Sequence, residues 1–379
     1  MPSAIARFTI YLAAVGLGAA LPAHGRTEIP GAAQPQLTIA NDGRVWLAYG
    51  RLGEAPVAPA DGQKHTGHQP PRRAGDVFVA CSTDGGASFA PAMKVAHVPN
   101  LMLGMRRGPR IAAQGDRVTV TYVADELRAV RSVDGGKTWG APVAVNDVPR
   151  SAREGLHDLA TAPDGRCFVT WLDLRNGKTE LSSAESTDGG ASWGKNGQVY
   201  RSPDATICEC CHPTALFDAG GNLAVMWRNA IAGNRDMWLA TRPAGSTQFW
   251  SAQKLGEGTW TLNACPMDGG RIVALGGGKF SAVWQRAGEV FYSPTDGAEV
   301  SLGMGKQPVA FAQGAGTLVF WQQGSDLVST RLRGSTAPVR VANEARFPVV
   351  VPLPQARGAV LAYEQGPLKE PNVVVQVLP

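Results

Sequence analysis

The chain has 379 residues, 44% of them hydrophobic and 18% charged, with 46 glycines and 27 prolines. That is the make-up of a packed, turn-rich globular protein, and it excludes a low-complexity or disordered one. The net charge of +5 is small for the length and the basic residues are scattered, so the basic stripe of a nucleic-acid-binding surface is excluded as well.

In chain order, Arg7 precedes an apolar run from Phe8 to Leu21, and the small residues Ala23 and Gly25 follow. This is the pattern of a secretory signal peptide, here residues 1–25, with residues 26–379 expected to form one mature domain. The run is shorter than the roughly 20 residues a membrane-spanning helix needs, and no second candidate follows, so no membrane span is expected after signal cleavage. With no cysteine at the cleavage point no lipid anchor is expected, and the expected product is a soluble monomer, periplasmic or secreted.

Beyond the leader, a short β-rich run ending in an aromatic recurs seven times: Trp46 to Tyr49, Val118 to Tyr122, Val169 to Trp171, Val225 to Trp227, Val283 to Trp284, Val319 to Trp321 and Val360 to Tyr363. Turn dipeptides such as Asp42-Gly43, Asp164-Gly165 and Gly220-Gly221 precede these runs, and another apolar strand comes before the turn. Three near-copies of one octet lie further along the first three units, starting at Ser82, Ser132 and Ser186, 50 and 54 residues apart. A period of that size predicts an all-β propeller of four-stranded blades. Seven repeats can be read. The last, Phe347 to Leu378, holds three strands, so the ring is expected to close with a strand donated from near Ile29 to Ile39.

Each octet reads Ser-x-Asp-Gly-Gly-x-Ser/Thr-aromatic, as in Ser132-Val133-Asp134-Gly135-Gly136-Lys137-Thr138-Trp139. The carboxylate can accept from backbone N–H groups, the glycines supply positive φ, and the aromatic packs under the turn. The octet resembles the Asp-box, or BNR repeat, of the sialidase-like family. That resemblance implies six blades, the alternative to the seven counted here. It also implies an exo-glycosidase site with an arginine triad, a tyrosine nucleophile assisted by a glutamate, and an aspartate acid/base. The chain departs from the pattern at the first triad arginine, where Glu28-Ile29-Pro30 stands in place of Arg-Ile-Pro; Arg110-Ile111 is the nearest echo. Arg228 and Arg346 are the candidates to join Arg110, and Tyr292 or Tyr363 to act as nucleophile, but no motif places them, so the catalytic set is not carried over.

Strand direction alternates within a blade, so the entrances to the first strands converge on one face with the loops between second and third strands, while the octets lie at the other end. The candidate contacts to a small-molecule or glycan ligand are Arg110, His157, Asp158 and Arg346 together with Arg228, with Gln307 in the same ring of entrance positions and Asn263 and Cys265 read as the entrance of the fifth repeat. The Pro/Gly-rich loop from Glu54 to Gly75, carrying His65 and His68, is the expected lid.

The densest chemistry is Ile207-Cys208-Glu209-Cys210-Cys211-His212-Pro213, with Cys265 one repeat later. Thiolate and imidazole ligands favour copper(I) or zinc(II), making Cys208, Cys210, Cys211, His212 and Cys265 the candidate metal set. Disulfide staples are the competing reading for an exported chain. Cys208-x-x-Cys211-His212 also matches the short pattern of c-type haem attachment. Cys81 and Cys167 fall in strands as small buried hydrophobes. Three functions stay open: a non-catalytic propeller that binds a ligand or a thiol-held metal, a glycosidase of sialidase type with a rearranged site, and a redox protein cycling Cys208 and Cys211.

Overall fold

A computed structural model describes residues 24–56, 73–294, 297–314, 316–332 and 337–379. Most of the expected signal peptide, and the lid stretch with His65 and His68, lie outside the described residues. Among those described, no helix is long and apolar enough to cross a membrane.

The strands form seven four-stranded antiparallel sheets. The seven innermost strands are β2 (Ala33–Ile39), β6 (Arg110–Gln114), β10 (His157–Thr161), β14 (Thr214–Phe217), β18 (Arg271–Gly276), β22 (Lys306–Gln313) and β26 (Ala345–Pro352). Each lies against the next, and β26 lies against β2, so the sheets close into a propeller with no free inner edge. The seven-blade count therefore stands and the six-blade alternative falls. Closure is made by β1 (His24–Pro30), which pairs with β28 (Asn372–Leu378) as the outermost strand of the seventh blade. Of the stretch from Ile29 to Ile39, only its start belongs to that donated strand; residues 33–39 are the innermost strand of the first blade.

The recurring aromatic run is the second strand of every blade. In β3 (Val45–Pro56), β7 (Arg117–Val123), β11 (Cys167–Asp173), β15 (Leu223–Arg228), β19 (Lys279–Arg286), β23 (Gly316–Gln323) and β27 (Ala359–Gln365), the aromatics from Trp46 to Tyr363 are at most 4% exposed. Burying a Trp removes 150–250 Å² from water, on the order of 4 to 6 kcal/mol each before entropy is charged against it. These rings serve seven apolar clusters, one at each junction of neighbouring blades. Trp46 and Ala48 of the first blade meet Val118 and Val120 of the second, for example.

The octets fasten these junctions. Asp134 accepts the Thr138 backbone N–H at 2.9 Å and the Ser132 hydroxyl at 2.7 Å, while Ser132 Oγ accepts the Gly136 N–H at 2.9 Å. The octets at Ser82 and Ser186 repeat the pattern. Their hydrogen bonds hold the Asp84 carboxyl down at about 2, the Ser88 hydroxyl contributing most. The second glycine of each has φ of 89°, 81° or 86°. A Cβ there would sit 2.7 Å from Val360, 2.8 Å from Trp46 and 2.7 Å from Thr119, all on second strands of the preceding blade. Glycine is required both for the turn and for the close approach of one blade to the next.

Candidate functional site

The loop between the first two blades, residues 102–109, reaches across the funnel. Met105 and Arg106 adopt left-handed backbone conformations (φ 53° and 65°). They are held there because Arg106 donates from Nε to Gln307 Oε1 at 2.6 Å and from Nη1 to the Pro348 carbonyl at 2.9 Å, and stacks 5.8 Å over the Phe347 ring. Beneath it, Asp158 at the start of β10 bridges Arg110 and Arg271, each at 3.4 Å. Three guanidiniums thus plug the channel, Asp158 serving Arg110 and Arg271 while Asp268 and Glu364 act on Arg106. Burial, more than their mutual repulsion, lowers Arg106 to about 9 and Arg110 to about 10.

The plug divides the channel. A depression of about 610 Å³ opens towards the first-to-second-strand hairpins and is floored by Arg110, Asp158 and Arg271. On the entrance face a cleft of about 700 Å³ runs between blades five, six and seven, lined by Met105, Met267, Asp268, Lys306, Glu344, Arg346 and Phe347 among others.

Beside this cleft sits the cysteine cluster. Its loop, leading into β14, is pinned by the Ile207 N–H on the Thr179 carbonyl at 2.9 Å and the Cys208 N–H on the Arg228 carbonyl at 3.1 Å. A turn at Glu209 and Cys210 folds the chain back, so Cys208 Sγ lies 3.3 Å from Cys211 Sγ and 3.6 Å from Cys210 Sγ. All three sulfurs lie within 4.8 Å of one another. The three residues are at most 2% exposed, and half-buried Cys265 and Met267 pack against them. Interaction with the Cys210 and Cys211 thiols pulls Cys208 well below the usual thiol range, Arg228 adding to the effect. Cys210 is pushed up, first by its hydrogen bond with Cys208, and Cys211 is pushed up, first by burial. Arg107 is wholly buried nearby: Nε donates to the Glu154 carbonyl, Nη2 is 3.8 Å from the Glu154 carboxylate, and neither terminal nitrogen has a hydrogen-bond partner. Burial lowers Arg107, and Glu154 with Cys210, Cys211 and Cys265 opposes the shift.

The other predicted residues do not assemble as the triad would require. Arg228 spends its guanidinium on the carbonyls of Asp268, Arg235 and Gln285. Arg346 is bound to Glu364 at 3.1 Å and to the carbonyls of Gly366 and Pro367. Arg110 donates to the carbonyls of Arg106, Gly108 and Pro109. Arg346 lines the entrance cleft, Arg110 the central channel and Arg228 neither. His157 is fully buried, 3.0 Å from Thr121 Oγ1, and burial followed by Arg110 lowers it to about 3. His212 is not part of the sulfur group; its Nε2 lies 3.2 Å from the Gly270 carbonyl and its ring faces a small void shared with Arg106, Arg110 and Arg271. The Cys-x-x-Cys-His pattern thus has its imidazole engaged away from the thiols. Cys167 is a buried strand residue, as expected, whereas Cys81, also in a strand, is only half-buried. Sequence reasoning missed Arg271, Asp268 and Met267. The sequence pattern puts the fifth entrance at Asn263 and Cys265, whereas β18 starts at Arg271, after Asp268-Gly269-Gly270. That glycine pair was the available signal.

Compared with known protein families and with curated proteins, the chain matches none. Solved structures do match. A protein of unknown function from Dyadobacter fermentans DSM 18053 aligns over 94% of this chain and 96% of its own, with 16% identity and a TM-score of 0.53. An alpha-L-arabinofuranosidase from Fusarium graminearum aligns over 94% and 98%, with 12% identity and a TM-score of 0.50. The NanB sialidase of Streptococcus pneumoniae aligns over 96% and 70%, with 8% identity and a TM-score of 0.49. At such identities the likeness is one of fold alone, and that fold is the propeller expected from the repeats.

Proposed function

We propose that this is an exported propeller whose funnel rim binds a soft metal ion, copper or zinc, through Cys208, Cys210 and Cys211, with Cys265 completing the set. The observation that carries this reading is the group of three buried sulfurs within 4.8 Å of one another. A tetrahedral zinc site with Zn–S bonds of about 2.3 Å sets neighbouring sulfurs about 3.8 Å apart. The separations of 3.3 and 3.6 Å need to open by only a few tenths of an ångström. Three thiolates around a monovalent ion, or four around a divalent one, leave two negative charges, and two cations act on the cluster: Arg228, and Arg107, which is shared with the Glu154 carboxylate. The test is elemental analysis with thiol titration on protein purified from the periplasm without chelator or reductant. About one equivalent of copper or zinc, lost on Cys208→Ser and on Cys265→Ser, is expected. Absence of metal, with thiols unreactive until reduced, would make the cysteines staples and overturn the reading.

A second reading, an exo-glycosidase of sialidase type with a rearranged site, is favoured by one feature. Asp268 lines the cleft and burial raises its carboxyl above the ordinary range, which is what a general acid needs. One structural relative is an arabinofuranosidase. Against it, Asp268 is tied down, Oδ2 accepting the Gln307 N–H at 2.6 Å and Oδ1 the Gly270 N–H at 3.4 Å. Hydrolysis of an aryl glycoside that Asp268→Asn abolishes would establish this reading; a panel with no turnover removes it.

A further inference from the structure

Resting on the proposed thiol site, we infer that the site is loaded with copper(I) from the entrance cleft, through Met105 and Met267 and then Cys265. Two methionines line that cleft although they come from different blades: Met105 from the loop that crosses the funnel, Met267 from the segment before β18. Met105 is 45% exposed at the cleft surface, and Met267 packs against the cysteine cluster. The two thioethers therefore stand at the outer and inner ends of one path, with half-buried Cys265 beside Met267.

Their placement is built. Both residues hold the left-handed backbone conformation (φ 53° and 57°), which costs a side-chain-bearing residue free energy and persists only where its surroundings enforce it. The enforcing contacts form one chain. Arg106, next to Met105, donates to Gln307 Oε1, and Gln307 Nε2 donates to the Met267 carbonyl at 3.1 Å. The Gln307 backbone N–H is held by Asp268, the residue after Met267. One side chain, Gln307, thus ties the two methionine-bearing loops together.

The donor type decides which ion uses the path. A thioether is a neutral, soft ligand suited to copper(I), whereas zinc takes thiolate, imidazole and carboxylate. Transfer is ligand exchange without electron transfer: copper stays monovalent, each Cu–S(thioether) bond breaks as a Cu–S(thiolate) bond forms, and each entering sulfur that is still protonated gives its proton to water. Weak neutral ligands outside and strong anionic ones inside make the exchange run inward.

The experiment follows uptake by the whole, reduced protein from copper(I)-bicinchoninate in a stopped-flow spectrometer, with zinc(II) loading as the parallel measurement. Met105→Leu combined with Met267→Leu conserves volume and removes both thioethers. The expected result is an unchanged copper endpoint reached about tenfold more slowly, with zinc loading unaltered. Uptake as fast as wild type overturns the path while leaving the thiol site intact, and slowing of copper and zinc alike overturns it as a structural effect. Loss of capacity along with rate also overturns it, making the methionines ligands of the final site. Wild-type protein that takes up no copper overturns the path, and if it takes up no zinc either, the site falls with it.

Discussion

Acidification from pH 7 to pH 5 should destabilise the propeller through His157. Its ring is wholly buried beside Arg110 and Thr121, and burial first, then Arg110, lowers it to about 3. In the unfolded chain the same imidazole titrates at about 6.5. Over the interval between those values the unfolded state binds the proton and the folded state does not, so stability falls as pH falls. The free energy of protonating the unfolded form grows by about 2 kcal/mol between pH 7 and pH 5, close to 1.4 kcal/mol per pH unit once below 6.5. Carboxylates held low in the fold, such as Asp84, contribute mainly below this window because their unfolded partners titrate near 4. Urea unfolding at pH 7, 6 and 5 measures the slope. His157→Gln keeps a side chain able to bond Thr121 and has no imidazole to protonate, so its stability should fall by about 2 kcal/mol less than wild type over the same range. His212 is present in both proteins and cancels in the difference. Equal losses in the two proteins would refute the reasoning.

Three further outcomes are expected. Gly190→Ala places a methyl 2.7 Å from Thr119 at φ 86°, and should cost about 1–3 kcal/mol in thermal unfolding. Gly177→Ala, at φ 79° with nothing within 4 Å, isolates the backbone strain and should cost less. Arg228→Met leaves the buried carbonyls of Asp268, Arg235 and Gln285 without their donor, a loss of about 3 kcal/mol or more seen as a lower urea midpoint. Arg107→Met should act with opposite signs: the metal-free protein melts little lower, because removing two buried nitrogens that have no hydrogen bond offsets the lost contacts with Glu154, while copper or zinc binding weakens about tenfold or more in competition titrations.

The blade architecture was legible because it repeats. A second-strand aromatic such as Trp171 or Trp321 must be buried at a blade junction, so its recurrence counts blades directly, and the octets fix the hairpins locally through Asp84, Asp134 and Asp188. The site was legible only as a face. Composition places arginines at strand entrances but does not say whether a guanidinium is free, and Arg110, Arg228 and Arg346 are each spent on backbone carbonyls. The fifth entrance was misplaced because the long stretch before β18 lacks turn dipeptides until Gly269-Gly270, which lets Met267 and Asp268 take the positions assigned to Asn263 and Cys265.

The same local geometry explains why a run of four adjacent candidate ligands splits into two sites. Cys208 and Cys211 flank the turn at Glu209 and Cys210, and a tight turn brings its first and fourth residues together, which sets their sulfurs 3.3 Å apart. Past the turn the chain bends at Cys211 and leads through His212 and Pro213 into β14. Cys211 faces the thiols while His212 faces the arginines of the channel. Pro213 keeps His212 out of the helical region, so a helical turn that would return the imidazole to the sulfur side is disfavoured. A four-ligand site built here must accordingly draw its fourth donor from another blade, and Cys265, already packed against the other three, is the residue in place to supply it.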